Sequence, residues 1–149
     1  MYTTLLFIHS WLRWVVLILA LVAIVKSFTG WKGSKTYSSQ DNKIAVFFMA
    51  SMHLMLIIGL GLYFISPYAF NAFGGSESVM KNATLRFWAV EHIFVMILAT
   101  VAATIGRIKA KKKELDNEKF KTQFTYFLIA LIFMLSRIPW GEADRLFRM

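Results

Sequence analysis

Residues 4–25 read TLLFIHSWLRWVVLILALVAIV, an apolar run whose only ionisable side chains are His9 and Arg13. A helix needs about 20 mainly apolar residues to cross the hydrocarbon core of a bilayer, and this stretch supplies them. A cleavable signal segment has a basic leading region and a small-residue cleavage site. Met1 to Ile8 carries no Lys or Arg, so the run reads as a permanent span. Two runs of the same character lie over about residues 44–65 and 85–105. A shorter one, about 122–138, begins with Thr122, Gln123 and Thr125. The expectation is a single all-α integral membrane domain over residues 1–149. Short connections make successive spans antiparallel neighbours, which gives an up-down four-helix bundle with spans 1 and 3 on one diagonal.

Composition points the same way. The chain is 58% hydrophobic and 17% charged, with a mean hydropathy of +0.57, against about 45–50% apolar and about 25% charged in ordinary globular domains. A chain this short has too little interior to hide that surface, so lipid is the expected solvent. Cysteine is absent, which excludes disulfides, thiolate catalysis and Cys-ligated clusters or zinc. Any metal or cofactor must be held by His, Met or carboxylates.

The net charge of +9 matters through its placement. Lys26, Lys32, Lys35 and Lys43 fill the first loop, and Arg107, Lys109, Lys111, Lys112, Lys113, Lys119 and Lys121 the third. Cytoplasmic loops collect Lys and Arg, so both loops belong on the cytoplasmic side, with the N- and C-termini periplasmic in a bacterial inner membrane. The basic third loop reads as a topology determinant, and nucleic acid is not an expected partner. The second loop, with Pro67, Asn71, Gly74, Gly75 and Ser76, is turn-rich. No loop is long enough for a second domain. Small residues spaced by four, Ala99 with Ala103 and Ala102 with Gly106, suit close helix packing.

Ionisable side chains within spans are costly and mark function. The three histidines, His9, His53 and His92, fall one each in spans 1, 2 and 3. At about 1.5 Å of rise per residue, His9 and His92 lie roughly 8 to 11 Å below the outer surface and His53 about 18 Å. Two imidazoles at one level on diagonal helices fit a single bis-histidine haem b, for which a bundle core is a known location. His9 with His92 is the preferred pair, and His53 can replace either. Arg13, one turn beyond His9, and Glu91, beside His92, are placed to form an ion pair. Arg86 and Arg137, near the outer ends of spans 3 and 4, are placed to receive propionates or to snorkel to the headgroups. Trp11, Trp14, Trp88 and Trp140 read as an aromatic belt, and Met49, Met52, Met55 and Met96 as packing residues.

Several of these residues carry a resemblance. His9 with Ser10, Arg13 and Trp14, His53 with Leu56, Gly59, Leu60 and Tyr63, Glu91 with His92, Ile105 to Arg107, and Ile138 to Trp140 together resemble small four-span bacterial membrane proteins labelled cytochrome b-like. The likeness runs over nearly the whole chain. It implies a haem-binding protein that transfers electrons; the acidic residues Glu142 and Asp144 depart from it.

The leading expectation is therefore an inner-membrane cytochrome passing electrons between a quinol, or a partner subunit, and a redox protein, alone, as a homodimer or in a larger complex. No nucleophile with its base, phosphate loop or zinc-protease helix is present, so the chain reads as an electron-transfer subunit and not as a stand-alone enzyme. Two alternatives stand beside it. His9, Arg13, His53, Glu91 and His92 can form a proton or metal-ion path, or the histidines can merely bond neighbouring helices in an assembly subunit.

Overall fold

In the computed structural model, which describes residues 1–148, every regular element is helical. Helix α1 spans Tyr2–Lys32, continuing past the apolar run until Gly33 N–H and Lys35 N–H close back on the carbonyls of Thr29 and Gly30 at 2.9 and 3.0 Å. Ser34, in the left-handed region at φ 49°, turns the chain. Helix α2, Ser39–Ile65, starts at a capping box. The Asp41 carboxylate accepts from Ser38 N–H at 2.9 Å, and Ser38 Oγ accepts from Asp41 N–H at 3.2 Å, so two otherwise orphaned amides are paired. It ends where Pro67 forces Ser66 into extended backbone. A short 3-10 turn over Phe70–Gly74 follows.

Helix α3 runs over Ala83–Lys112, opened by Asn82, whose side chain accepts from Leu85 N–H at 3.1 Å. Its stretch Phe87–Glu91 is a wide, π-helical turn, placed immediately before His92. Helix α4, Asp116–Ser136, opens with Asp116 and Glu118, where the helix dipole favours negative charge. A last single turn, α5, covers Ala143–Leu146.

Three of these helices are long and apolar enough to cross a membrane: α1, α2 with the turn after it, and α3. The fourth expected span lies on α4, whose first turns carry Asp116, Glu118, Lys119 and Lys121 and shorten its apolar part. Each helix begins before the expected span and α1 and α3 also run past its end, because the backbone ladder continues until a cap ends it, whereas α2 ends at Ile65 as expected and α4 at Ser136, short of the expected 138.

The four long helices pack in a ring, α1 against α2 and α4, and α3 against α2 and α4. Helices α1 and α3 are thus diagonal. Small residues let the backbones approach. Ala20, Ala99, Ala103 and Ala130 are fully buried, and Phe48 meets Phe127 edge-on at 4.9 Å between ring centres. At Gly106 an added Cβ would collide with Tyr126, and at Gly30 one would lie 2.6 Å from the Phe120 ring; both close approaches to α4 require glycine.

The basic loops come together at one end. There Gln123 is buried, donates to Tyr37 Oη at 2.7 Å, and accepts from Ser27 Oγ at 3.4 Å. Arg107, also buried, donates to Asn42. Burial pushes the Tyr37 phenol above its ordinary pKa, so it stays a neutral partner for Gln123. Around the middle of the ring, Ile18, Val25, Phe47, Ile57, Phe94 and Ile132 point outward and are more than half exposed.

Candidate functional site

The other end of the ring encloses a cavity with a water-accessible volume of about 150 Å³, some ten times the roughly 15 Å³ that one water needs. All four long helices line it. His9, Arg13, Val16 and Ala20 recur on one face of α1, and His92, Met96, Ala99 and Ala103 on one face of α3, at the i, i+4, i+7, i+11 spacing of an inward stripe. Both stripes end at their outer turn on an imidazole. The His9 and His92 ring centres lie 6.5 Å apart with their planes at 65°.

Each ring is set differently. His92 donates through Nδ1–H to the Arg137 carbonyl at 3.0 Å, a group that belongs to the end of α4. A carbonyl only accepts, so the proton is on Nδ1 and the lone pair on Nε2. The wide turn before His92 is steadied from α2, where Tyr63 Oη donates to the Ala89 carbonyl at 3.0 Å. His9 Nδ1 is buried with no hydrogen-bond partner. Room for its ring comes from Gly59, where an added Cβ would lie 3.2 Å from His9 Cε1.

His53 is elsewhere. It is exposed on the outer face of α2, bonded through Nδ1 to the Met49 carbonyl at 2.8 Å and within 3.4 Å of Thr104 Oγ1 through Nε2. The three histidines do not converge, and among the described residues no group of three or more His, Asp or Glu side chains is placed to hold a metal ion.

The expected ion pair between Arg13 and Glu91 is absent. Arg13 donates through Nη2 to the carbonyls of Arg145 and Leu146 at 2.9 and 2.8 Å. Glu91 instead pairs with Arg86 at 3.0 Å and Arg137 at 3.8 Å, all three about one-third exposed, so the cluster contributes little to stability. Arg86 and Arg137 face Glu91 and do not line the cavity.

The tail after Trp140 folds back onto α1. Trp11 Nε1–H donates to the Arg148 carbonyl at 2.7 Å and Trp14 Nε1–H to the Leu146 carbonyl at 3.0 Å. Phe147 stacks on Trp14 at 5.3 Å, and Leu146 is buried in the core. The Arg145 guanidinium lies 4.6 Å above the Trp88 ring and forms an ion pair with Glu142. Arg145 and Arg148 both line the cavity. Sequence reasoning gave Arg145, Leu146, Phe147 and Arg148 no part in a site, since backbone carbonyls as acceptors leave no trace in side-chain identity.

What can such a site hold? Structural zinc takes four protein ligands and catalytic zinc three; here there are two imidazoles. Two suffice for an iron whose other four positions a macrocycle already fills. One iron held by both imidazoles would need ring centres about 6 Å apart, close to the 6.5 Å observed. An apolar cavity, an unpartnered His9 nitrogen and a glycine that clears space for its ring fit that group. Compared with known protein families, curated proteins and solved structures, the chain matches none.

Proposed function

We propose that the chain is a four-helix transmembrane cytochrome that binds one haem b between His9 and His92 and passes single electrons. The observation that carries the reading is the pair of diagonal imidazoles 6.5 Å apart across an apolar cavity of about 150 Å³. Membrane insertion is supported by the outward belt of large apolar side chains, which in water would be an aggregating surface. The gathering of basic loops at one end supports a cytoplasmic position for that end in a bacterial inner membrane, with the cavity and both termini on the periplasmic side.

When bound, haem iron supplies reversible one-electron chemistry. The residues of the chain do the rest. His9 and His92 offer one imidazole nitrogen each. The Arg137 carbonyl fixes the His92 tautomer and makes the ring a stronger donor. Leu17, Leu56, Leu60, Met52 and Met96 in the cavity wall keep water out and the local dielectric low, which raises the cost of unbalanced charge on the iron. Electron donors and acceptors consistent with this position are a quinol in the bilayer, a partner subunit, and a redox protein at the outer face.

The test is the absorption of the detergent-purified protein, expressed with haem supply, in oxidised and reduced forms. An intense Soret band that moves on reduction is the expected result, and a colourless protein defeats the reading. Gly59→Leu is expected to push the His9 ring out of line and to weaken haem binding by about tenfold or more, read by haemin titration, while helix content by circular dichroism stays the same.

A second reading has one observation in its favour. Met52, Met55, Met96 and Met134 line the same cavity, and thioethers with imidazoles suit copper(I). Against it, Arg13, Arg145 and Arg148 line that cavity too and oppose entry of a cation. Copper analysis of the same sample separates the two.

A further inference from the structure

Three guanidiniums, those of Arg13, Arg145 and Arg148, border the cavity beside the tail. Among the described residues one acidic group accompanies them, Glu142, which is paired with Arg145. Glu91 is engaged by Arg86 and Arg137, and Asp144 is exposed and forms no ion pair among the described residues. Among the described residues, three positive charges against one negative leave an excess of two. Like charges gathered in a partly desolvated site repel, and each is costly without a counter-charge. The Nε atoms of Arg13 and Arg148 are buried with no hydrogen-bond partner, so both guanidiniums keep donor capacity unspent. The backbone of the tail is pinned by Trp11, Arg13 and Trp14, and the Arg145 side chain is held over Trp88. The Arg13 and Arg145 guanidiniums are thus held in place, and the Arg148 backbone is fixed beside them.

From this we infer that the tail and Arg13 form an anion seat for a ligand carrying two carboxylates, with Arg13 and Arg148 as the residues that recognise them. Guanidinium is the side chain suited to planar, paired contact with carboxylate. Two carboxylates would balance the excess charge. The inference rests on the proposed haem reading for the identity of the ligand, a porphyrin whose two acid groups meet this seat while its centre meets the imidazoles. It moves the acid-binding role from Arg86 and Arg137, which are occupied by Glu91, to residues of α1 and the tail.

Metal-free protoporphyrin IX and its dimethyl ester separate the two claims, because neither needs an axial ligand. Quenching of porphyrin fluorescence on titration with detergent-solubilised protein gives each affinity. The wild-type chain is expected to bind the diacid about tenfold or more tighter than the ester, the scale of one hydrogen bond to a charged group. Arg148→Gln, close to the chain end, is expected to lose most of that preference with unchanged helix content, and Arg13→Gln to lose it as well. Should Arg13→Gln misfold, Arg148→Gln decides alone. His9→Ala and His92→Ala are expected to keep the preference even where they abolish haem binding. Equal affinity for acid and ester, binding of neither, or a preference that survives Arg148→Gln overturns the seat. A colourless haem titration with the diacid preference intact overturns the imidazole reading and leaves the seat standing.

Discussion

Replacing His92 by alanine is expected to abolish stable haem binding, with affinity falling by about a hundredfold or more. Losing an outer partner of a metal ligand costs about 10–100-fold, and losing the ligand itself costs more. Of the two cavity imidazoles, the substitution removes the one whose tautomer is fixed, by the Arg137 carbonyl at 3.0 Å, and leaves His9 alone in the cavity. His9→Ala is expected to act similarly, with any residual binding converted to a five-coordinate form. His53→Ala is expected to change neither the spectrum nor the affinity, since its ring is exposed and bonded to Met49 and Thr104. Haemin titrations followed at the Soret band rank the three variants. An His53→Ala protein that loses haem while His92→Ala retains it would place the ligands elsewhere.

Ending the chain after Trp140 is expected to have the second-largest effect, lowering stability by about 3 to 5 kcal/mol. The sum has three parts. Leu146 leaves the core, worth about 2 kcal/mol. The stack of Phe147 on Trp14 is lost, at about 0.5–1.5 kcal/mol. Trp11, Arg13 and Trp14 lose their carbonyl acceptors, and any of these donors left dry costs about 1–3 kcal/mol; headgroup water can satisfy some of them, which holds the total down. The cavity would also lose the guanidiniums of Arg145 and Arg148. Thermal unfolding in detergent measures the effect, and a truncated chain that melts with the wild type would make the tail a passive extension.

The places where sequence succeeded and failed have physical reasons. The long helices were legible because each carries a continuous apolar run of about the length a span requires. Boundaries were less so. The first apolar run ends at about residue 25, whereas α1 continues to Lys32. The Ser38 and Asp41 pair that starts α2 was present in the sequence as a capping signal and would have located that end. A periodicity count would also have set His53 aside. The inward stripe of α2 is Ala45, Phe48 and Met52, and the next residue along a helix is turned by about 100° from it. His9 and His92 share their stripes with buried residues and stay inside.

The tail had no such signal. Gly141, Glu142, Ala143 and Asp144 are polar or small, as in any solvated terminus, and the segment is held through its backbone carbonyls. For the same reason Arg13, which as a cation within an apolar run called for an acidic partner, is half-buried and found carbonyls instead. The wide turn at Phe87–Glu91 is equally silent in sequence: no residue type specifies it, and it arises from packing between α2 and α3, where Tyr63 holds the Ala89 carbonyl.

The central claim is that one iron is shared by the imidazoles of His9 and His92. Electron paramagnetic resonance of the oxidised, haem-loaded protein addresses it directly. A low-spin ferric signal of bis-imidazole type in the wild-type chain, replaced by a high-spin signal or by none in both His9→Ala and His92→Ala, is the expected result. A high-spin signal in the wild type, or a low-spin signal that persists in either variant, would contradict the account.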